Sequence, residues 1–308
     1  MSIKCNLIID SCCDLPAHVV DREGVTLLQF PYSFGNEQYS DDLWKSLEPA
    51  SFYNRMRTGE QAQTAQIAMT TFQEAFTNAA RSGVPTVYLG FSSGLSGTFG
   101  TAEMIRDQVL EEYPEAELYV VDTLLASIAE GLLVYEAFRQ RELGLTAQEM
   151  VAWANEARYF VNNIFMVDDL ESLRAGGRIP ASVAYAGAKL DVKPLLQIAL
   201  DGSLSMRGIA RGRKKGIRQM VQFFEENFDA SAPEHLAVVG HSDCGKDAEK
   251  FKDSLSKANS TVMHLDSNLG PVIGSHVGPG MLAVVFWGKD RREDLSVADR
   301  IARKVRGE

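Results

Sequence analysis

The sequence predicts an α/β protein with two domains, a parallel-sheet α/β domain followed by an α/β domain with a mixed or antiparallel sheet. The first half alternates short β-rich runs with helical patterns, the second half carries a hairpin signal and further short strands, and 308 residues with 45% hydrophobic content suit two medium cores. We place the domains at 1–161 and 162–308. No low-complexity linker joins them, so we expect close packing and a ligand site between them.

Four segments of the first half have the length and composition of β-strands. They read NLIID from Asn6, VTLLQF from Val25, TVYLGF from Thr86 and ELYVVD from Glu117. Helical patterns lie between and after them, as expected for parallel pairing. One helix is expected within residues 126–144, ending at Gly144. Another is expected to begin at Thr146, because Glu149 stands at capping-box distance.

The second half has the pattern of a mixed or antiparallel sheet. Asp201 and Gly202 lie between two alternating runs, which is a strong hairpin signal. Later short strands read LAVVGHS, TVMHLD and MLAVVFWG. Before these strands, a helix is predicted from apolar residues at helical spacing, namely Ile217, Met220, Val221 and Phe224.

Composition and charge exclude several kinds of partner and site. The formal net charge of −10 opposes nucleic-acid binding, which relies on Lys and Arg at the phosphates. No apolar stretch approaches the roughly 18 residues that a membrane helix needs, and the start of the chain lacks the long apolar run of a signal peptide. The four cysteines suit reduced thiols, and the five histidines lack zinc-site spacing. We therefore expect a cytoplasmic protein without a metal, a cofactor or a transmembrane segment.

Residues 90–94, Gly-Phe-Ser-Ser-Gly, match the G-x-S-x-G motif that carries the nucleophile of serine hydrolases. A preceding strand and a following helix suit Ser92 as a nucleophile, and His241 or His276 could complete a triad. However, Leu-Ser-Gly-Thr at 95–98 separates Gly94 from the helix, and the sequence has no upstream H-G-G-G segment. An esterase or thioesterase using Ser92 is therefore the less favoured of two functional hypotheses.

The same stretch also suits anion binding. Glycines such as Gly97 let backbone N–H groups approach a ligand, Ser96 and Thr98 add hydroxyl donors, and the N-terminus of the following helix contributes a partial positive charge. A purely structural role for Ser96 stays open, because serine is a favoured N-cap residue.

A histidine and a group of cations are further candidates. His276 lies in LGPVIGSHVGPG, whose glycines and prolines predict a backbone shaped by turns. There it could donate a hydrogen bond or act near neutral pH, or it could be merely structural. Arg178 in GGRI, with Arg211 and Arg213 in ARGRKKGIR, could meet a phosphate or an acidic partner. Alternatively, these cations could simply lie on the solvent-exposed face of a helix and have no partner.

Several segments together resemble one known family. In chain order they are IIDSCCDLP, QTAQ, GFSSGLSGTF, VVDTLLASIAEGLLV, LESLRAGGRI, ARGRKK and GPVIGSHVGPG. They closely resemble the DegV family of bacterial fatty-acid-binding proteins, across nearly the whole chain. The resemblance implies two α/β domains with a long-chain fatty acid between them. It also implies a carrier rather than an enzyme, since some members present their fatty acid to a separate ATP-dependent fatty acid kinase that forms an acyl phosphate.

The resemblance also implies roles for single residues. The residues around the fatty acid carboxylate fall on Thr64, Ser96, Gly97 and His276, and the histidine could take part in phosphotransfer. The arginines that face the kinase or the phosphate fall on Arg178, Arg211 and Arg213. Two departures from the family pattern are the adjacent Cys12 and Cys13 in the first motif and QTAQIA in place of T-S-Q-P-S. Because Thr64 is retained, carboxylate binding is still expected.

Overall fold

The computed structural model describes residues 3–179 and 191–294, together with Ala298, Ile301 and Val305. Its strands are β1 Asn6–Asp10, β2 Val25–Leu28, β3 Pro31–Phe34, β4 Glu37–Ser40, β5 Ala62–Thr64, β6 Thr86–Gly90, β7 Leu118–Asp122, β8 Val161–Met166, β9 Val192–Ile198, β10 Leu204–Arg211, β11 Leu236–His241, β12 Met263–Asn268 and β13 Leu282–Trp287. Its α-helices are α1 Ala17–Val20, α2 Pro49–Arg57, α3 Met69–Ser82, α4 Thr98–Glu112, α5 Ile128–Glu142, α6 Ala147–Ala157, α7 Glu171–Ala175, α8 Arg213–Asn227, α9 Gly245–Ala258 and α10 Pro271–Val277.

The first half of the chain forms the predicted parallel sheet. Four strands stand in the order β2-β1-β6-β7, and all three neighbouring pairs are parallel. The helices predicted after β7 are confirmed as α5 and α6. Gly144 adopts φ 94° just beyond α5, and Thr146 and Glu149 form the predicted capping box of α6.

A small antiparallel sheet, ordered β4-β3-β5, lies beside the parallel one. The segment VTLLQF was predicted as one strand, but β2 ends at Leu28 and the backbone N–H of Phe30 donates to Ser11 Oγ at 3.0 Å instead of to a neighbouring strand. The chain then enters β3 at Pro31. This small sheet matters for the site because β5 pairs Thr64 with Tyr32 and so fixes the Thr64 backbone.

The second half forms the predicted mixed sheet, in the order β10-β9-β8-β13-β11-β12. Only β11 and β12 pair in parallel among these described strands. The predicted hairpin is confirmed as β9 and β10, with Gly202 at φ 79° in the turn. The sheet begins with β8 at Val161, and the division into domains at that residue stays a prediction.

The six-stranded sheet separates two apolar cores because side chains alternate along each strand. On β13, the side chains of Leu282, Val284 and Phe286 join a core with α8 and α9. The intervening Ala283, Val285 and Trp287 join the core that contains the parallel sheet and α5. Helix α5 is buried along most of its length, and it packs against β8, β11 and β13 of the six-stranded sheet.

The glycine-rich stretch around His276 forms the short helix α10, where turns were predicted. Pro271 stands in the first turn, where its missing N–H costs no hydrogen bond, and Gly278 ends the helix at φ 73°. Within α10, Gly274 lies against Tyr53 so closely that a Cβ there would be 2.5 Å from the phenolic oxygen. That hydroxyl in turn donates to Leu269 O at 2.7 Å. The glycines therefore allow close helix packing.

We expect Gly274→Ala to lower the free energy of unfolding by about 1–3 kcal/mol, because the added methyl overpacks against Tyr53. The matched control is Gly100→Ala in α4, where a Cβ meets nothing within 4 Å. There the better helix propensity of alanine should stabilise the protein by up to about 1 kcal/mol. Chemical denaturation of both variants measures the two changes. Equal stability of the variants would contradict the close contact at Gly274.

Candidate functional site

A cavity of about 340 Å³ lies between the two large sheets, within the range of about 300–1,000 Å³ common for small-molecule sites. From the first half it is lined by Cys12, Phe30, Thr64, Ala65, Gln66, Phe91, Leu95, Ser96, Gly97, Ala126, Ser127, Ile128 and Ala129. From the second half it is lined by Asn163, Ile164, Phe165, Leu173, Arg178, Ile198, Leu204, Val272, Ile273, His276, Val277, Met281, Ala283 and Val285. Most of the lining is apolar, so the cavity suits a ligand with a long apolar part.

Polar side chains that were predicted for one site do meet at this cavity. Thr64, Ser96, Gly97, Arg178 and His276 all line it. Thr64 Oγ1 lies 2.9 Å from His276 Nε2, at hydrogen-bonding distance. Strand β5 and helix α10 thus bring together two side chains that are 212 positions apart.

Ser96 lies two residues before Thr98, the first residue of helix α4. The N-cap position belongs to Gly97, which supplies no side-chain cap. Ser96 Oγ accepts the N–H of Thr98 at 3.2 Å and lies 2.9 Å from Thr98 Oγ1. The hydroxyl therefore stands at the positive end of a 15-residue helix, where an anion is favoured.

His276 is a neutral imidazole beside a cation. Burial and the nearby Arg178 guanidinium lower the pKa of His276 to about 4. The imidazole packs directly against Gly176, where a Cβ would lie 2.3 Å from His276 Nδ1. Only glycine therefore leaves room for the His276 ring. Arg178 donates to the Gly176 carbonyl, and burial lowers its own pKa. This end of the cavity therefore combines one positive charge with hydroxyl and imidazole hydrogen-bonding groups.

The start of α10 is held by a buried carboxyl group. Asp14 Oδ1 accepts the N–H of Gly270 at 2.8 Å, and its Oδ2 accepts the hydroxyl of Ser127 at 2.5 Å. The backbone carbonyl of Asp14 also accepts the hydroxyl of Ser267. Asp14 therefore couples the end of β1 to α5 and to the helix that carries His276.

The G-x-S-x-G motif serves a packing role in this structure. Ser92 is fully buried, and its hydroxyl donates to Gly202 O at 2.9 Å in the β9–β10 turn. A Cβ at Gly94 would lie 2.6 Å from the Gly202 carbonyl carbon, so a glycine is needed where the two backbones touch. Within the described residues, Ser92 bonds to no histidine and does not line the cavity. Neither His241 nor His276 forms a triad with it.

The arginines predicted to face a partner lie in different places. Arg178 lines the cavity, whereas Arg211 is exposed at the end of β10. Arg213 is engaged within the chain, where it donates to Asp247 at 2.5 Å, to Asp168 at 3.2 Å and to the Gly280 carbonyl at 2.7 Å. Its guanidinium thus connects the loop after β8, the first turn of α9 and the loop after α10.

Some lining residues were given no role by the sequence reasoning. Gln66 lies across Gly97, where a Cβ would be 2.7 Å from the Gln66 amide nitrogen. Its position in QTAQ, two residues after Thr64, could have indicated this. Asn163 and Ser127 are buried polar residues in apolar surroundings. Only the register of β8 and the start of α5 bring them to the cavity, so a one-dimensional pattern offers no signal for them.

Two kinds of feature are absent from the part of the chain that the structure describes. No helix there is both long and apolar enough to pass through a bilayer. No group of three or more His, Cys, Asp or Glu side chains there is arranged to hold a metal ion. Neither feature therefore adds to the candidate site.

The family model of DegV, described as uncharacterised proteins of the DegV family, matches residues 4–289. This chain belongs to the DegV family. Two curated DegV domain-containing proteins are similar to it over nearly their whole length. The one from Clostridium perfringens is 35% identical over 92% of this chain and 97% of its own length. The one from Lactococcus lactis is 33% identical over 93% of this chain and 99% of its own length.

Solved DegV structures share the fold of this DegV protein. The structure of a Thermus thermophilus DegV family protein, described by its fatty acid binding, has a TM-score of 0.81 at 28% identity and covers 93% of this chain and 100% of its own. The structure of DegV from Bacillus subtilis, a fatty acid binding protein, has a TM-score of 0.79 at 26% identity. It covers 94% of this chain and 100% of its own. The predicted fold and family are thereby confirmed.

We expect the His276 imidazole to titrate with a midpoint of about 4 in NMR spectra, because burial and Arg178 oppose its protonation. The unfolded chain binds this proton below about pH 6.5, so protonation favours unfolding between pH 6.5 and 4. The free energy of unfolding should therefore fall across this range more steeply than in His276→Gln. A midpoint near 6.5, or identical slopes in the two proteins, would contradict the buried neutral imidazole.

Proposed function

We propose that this DegV protein is a non-catalytic carrier that binds a long-chain fatty acid in the cavity between its sheets. It presents the carboxylate to an ATP-dependent fatty acid kinase, which forms the acyl phosphate. The observation that carries the proposal is the apolar cavity with Thr64, Ser96, Arg178 and His276 at its lining. Related DegV proteins described as fatty-acid-binding support the same ligand class.

The apolar tail supplies most of the affinity in this proposal. Burial of roughly fifteen methylenes at about 0.8 kcal/mol each contributes on the order of 12 kcal/mol before ordering costs. An unpaired buried carboxylate would cost several kcal/mol. Charge-assisted hydrogen bonds from Thr64 and Ser96, about 1.5–3 kcal/mol each, offset much of this cost. The head group therefore mainly fixes the orientation of the acid.

The exposure of the polar residues supports presentation to a second protein. Ala65, Gln66 and Gly97 are exposed although they also line the cavity, and Thr64, Ser96 and His276 are half-buried. A carboxylate held by these residues would lie close to the protein surface. Arg178 beside it and the exposed Arg211 supply positive charge toward which phosphate groups are attracted.

The protein purified from cells should contain a long-chain fatty acid, released by denaturation and identified by mass spectrometry. The tail affinity estimated above predicts that the acid survives purification. Delipidated protein should take up a long-chain acid again, while a fatty alcohol of equal length should bind more weakly because it brings no charge to Arg178. Protein that is empty as purified and takes up no long-chain acid would overturn the proposed function.

The double variant Thr64→Ala with Ser96→Ala should lose more kinase turnover than lipid uptake, because the tail dominates affinity and the hydroxyls orient the carboxylate. We expect at least a tenfold loss of acyl phosphate formation with the cognate kinase. Uptake measured by titration should weaken less. Ser93→Ala is the matched control, since Ser93 is exposed in the same loop and does not line the cavity. Equal losses of turnover and uptake would show that these hydroxyls do not orient the head group.

A further inference from the structure

The guanidinium of Arg213 is bonded on several sides within the protein. Its Nε donates to Asp247 Oδ2 at 2.5 Å, and its Nη1 donates to Asp168 Oδ1 at 3.2 Å and to Gly280 O at 2.7 Å. Its Nη2 donates to Cys244 Sγ at 3.1 Å. A guanidinium has five N–H donors, so these four bonds use most of them. Arg213 therefore has little left to offer an approaching partner.

The cavity residues Arg178 and His276 lie on two segments that pack against each other. The first, here called the α7 segment, is residues 168–178, and the second, the α10 segment, is residues 271–280. Arg178 donates to the carbonyl of Gly176, and a Cβ on Gly176 would lie 2.3 Å from His276 Nδ1. The packing of the two segments therefore sets how near the guanidinium of Arg178 lies to the imidazole of His276.

Arg213 joins the two segments at their other ends. Asp168 is the first residue of the α7 segment and Gly280 is the last of the α10 segment, and they touch, since a Cβ on Gly280 would lie 2.5 Å from Asp168 Oδ2. One nitrogen, Arg213 Nη1, bonds to both residues. The bond from Nε to Asp247, in the first turn of α9, holds the guanidinium from outside the two segments. Arg213 therefore fixes both segments to the body of the second half.

We propose that Arg213 is a positioning residue for the carboxylate site, which clamps the α7 and α10 segments together and so keeps Arg178 and His276 in the arrangement that receives the head group. This inference rests on the proposed function, and it replaces the expectation that Arg213 faces the kinase. An arginine suits the role because its planar group reaches several acceptors in fixed directions, whereas lysine presents a single ammonium group.

The test measures the NMR titration midpoint of His276 in the delipidated protein, where the wild-type value is expected at about 4. In Arg213→Ala and in Asp168→Ala the midpoint should rise by about one pH unit, because looser segments admit water and let Arg178 move away, and both changes favour imidazolium. The two variants remove charges of opposite sign, so a direct electrostatic effect would move the two midpoints in opposite directions. Only loss of the clamp raises both.

Lys193→Met is the matched control for the titration. Lys193 Nζ donates to Asp168 Oδ1 at 2.8 Å, so this change removes a cation from Asp168 but leaves the bonds of Arg213 in place. The His276 midpoint should stay at the wild-type value. If Arg213→Ala does not fold, Asp168→Ala still tests the same link from the other side. Midpoints that do not rise in the variants of Arg213 and Asp168 would overturn this inference.

Kinase turnover separates positioning from docking. Arg213→Ala should lower kcat for acyl phosphate formation at least about tenfold and change the KM for the loaded carrier less, because the carboxylate site is disturbed and the docking surface is not. Lys214→Ala, an exposed neighbour in the first turn of α8, is the matched control and should keep the wild-type kcat. A raised KM with unchanged kcat and an unchanged His276 midpoint would show that Arg213 contacts the kinase.

The two proposals fail in different ways. The titration uses protein without ligand or kinase, so it reports on the clamp whether or not the protein is a carrier. A protein that takes up no long-chain acid would overturn the proposed function. Normal uptake and turnover, with His276 midpoints that do not rise in Arg213→Ala and Asp168→Ala, would overturn this inference alone.

Discussion

The buried carboxyl group of Asp14 is the constraint on which the walls of the cavity depend. It follows the short 3-10 turn Ser11–Cys13 after β1, and it accepts hydrogen bonds from Ser127 before α5 and from Gly270 before α10. Burial raises its pKa to about 7, yet both oxygens have donors, as a buried polar group requires. This side chain therefore connects the start of α5 with the start of the helix that carries His276.

A second carboxyl group approaches the same point. A Cβ on Gly270 would lie 2.6 Å from Asp14 Oδ1 and 2.9 Å from Asp41 Oδ2, so only glycine fits between them. Burial and the nearness of Asp14 raise the pKa of Asp41 well above its ordinary value. Like charges this close in a buried site keep at least one group protonated. Burial and mutual repulsion therefore oppose the ionisation of these two neighbouring carboxyl groups.

Periodicity and turn signals predicted the fold because both are local. The parallel strands, the hairpin at Asp201 and Gly202, and the Thr146–Glu149 capping box all depend on residues near one another in the chain. The helix at His276 was missed because the eight residues from Pro271 to Gly278 hold a proline start, an internal Gly274 and a glycine stop, which also suit turns. The contact between Thr64 and His276 depends on tertiary packing, so patterns along the sequence could not predict it. Only the family resemblance predicted that these two residues belong to one site. Their roles stay predictions.

The same packing explains why G-x-S-x-G misleads at the sequence level. A nucleophile elbow needs glycines for its tight turn and serine for its reactive hydroxyl. Small glycines and a hydrogen-bonding serine equally suit a loop that packs closely against another turn. Here Gly94 admits the Gly202 backbone and Ser92 satisfies its carbonyl. The stretch thereby fixes the β9–β10 hairpin over the loop that carries Ser96. The motif indicates tight backbone contact, and only the partners of the hydroxyl distinguish catalysis from packing.

The electrostatics of the polar end follow from the same close contacts. Arg178 is held by the Gly176 carbonyl beside a neutral His276, so among the described lining residues Arg178 brings a positive charge to this end before any ligand binds. A bound carboxylate would neutralise that charge. By pairing with the Arg178 guanidinium, the carboxylate would also offset the cost of burying the guanidinium. It would also raise the pKa of His276, because a nearby negative charge favours imidazolium. The proposed function therefore couples ligand binding to the proton on His276, because the imidazole would gain a proton more easily with the acid present.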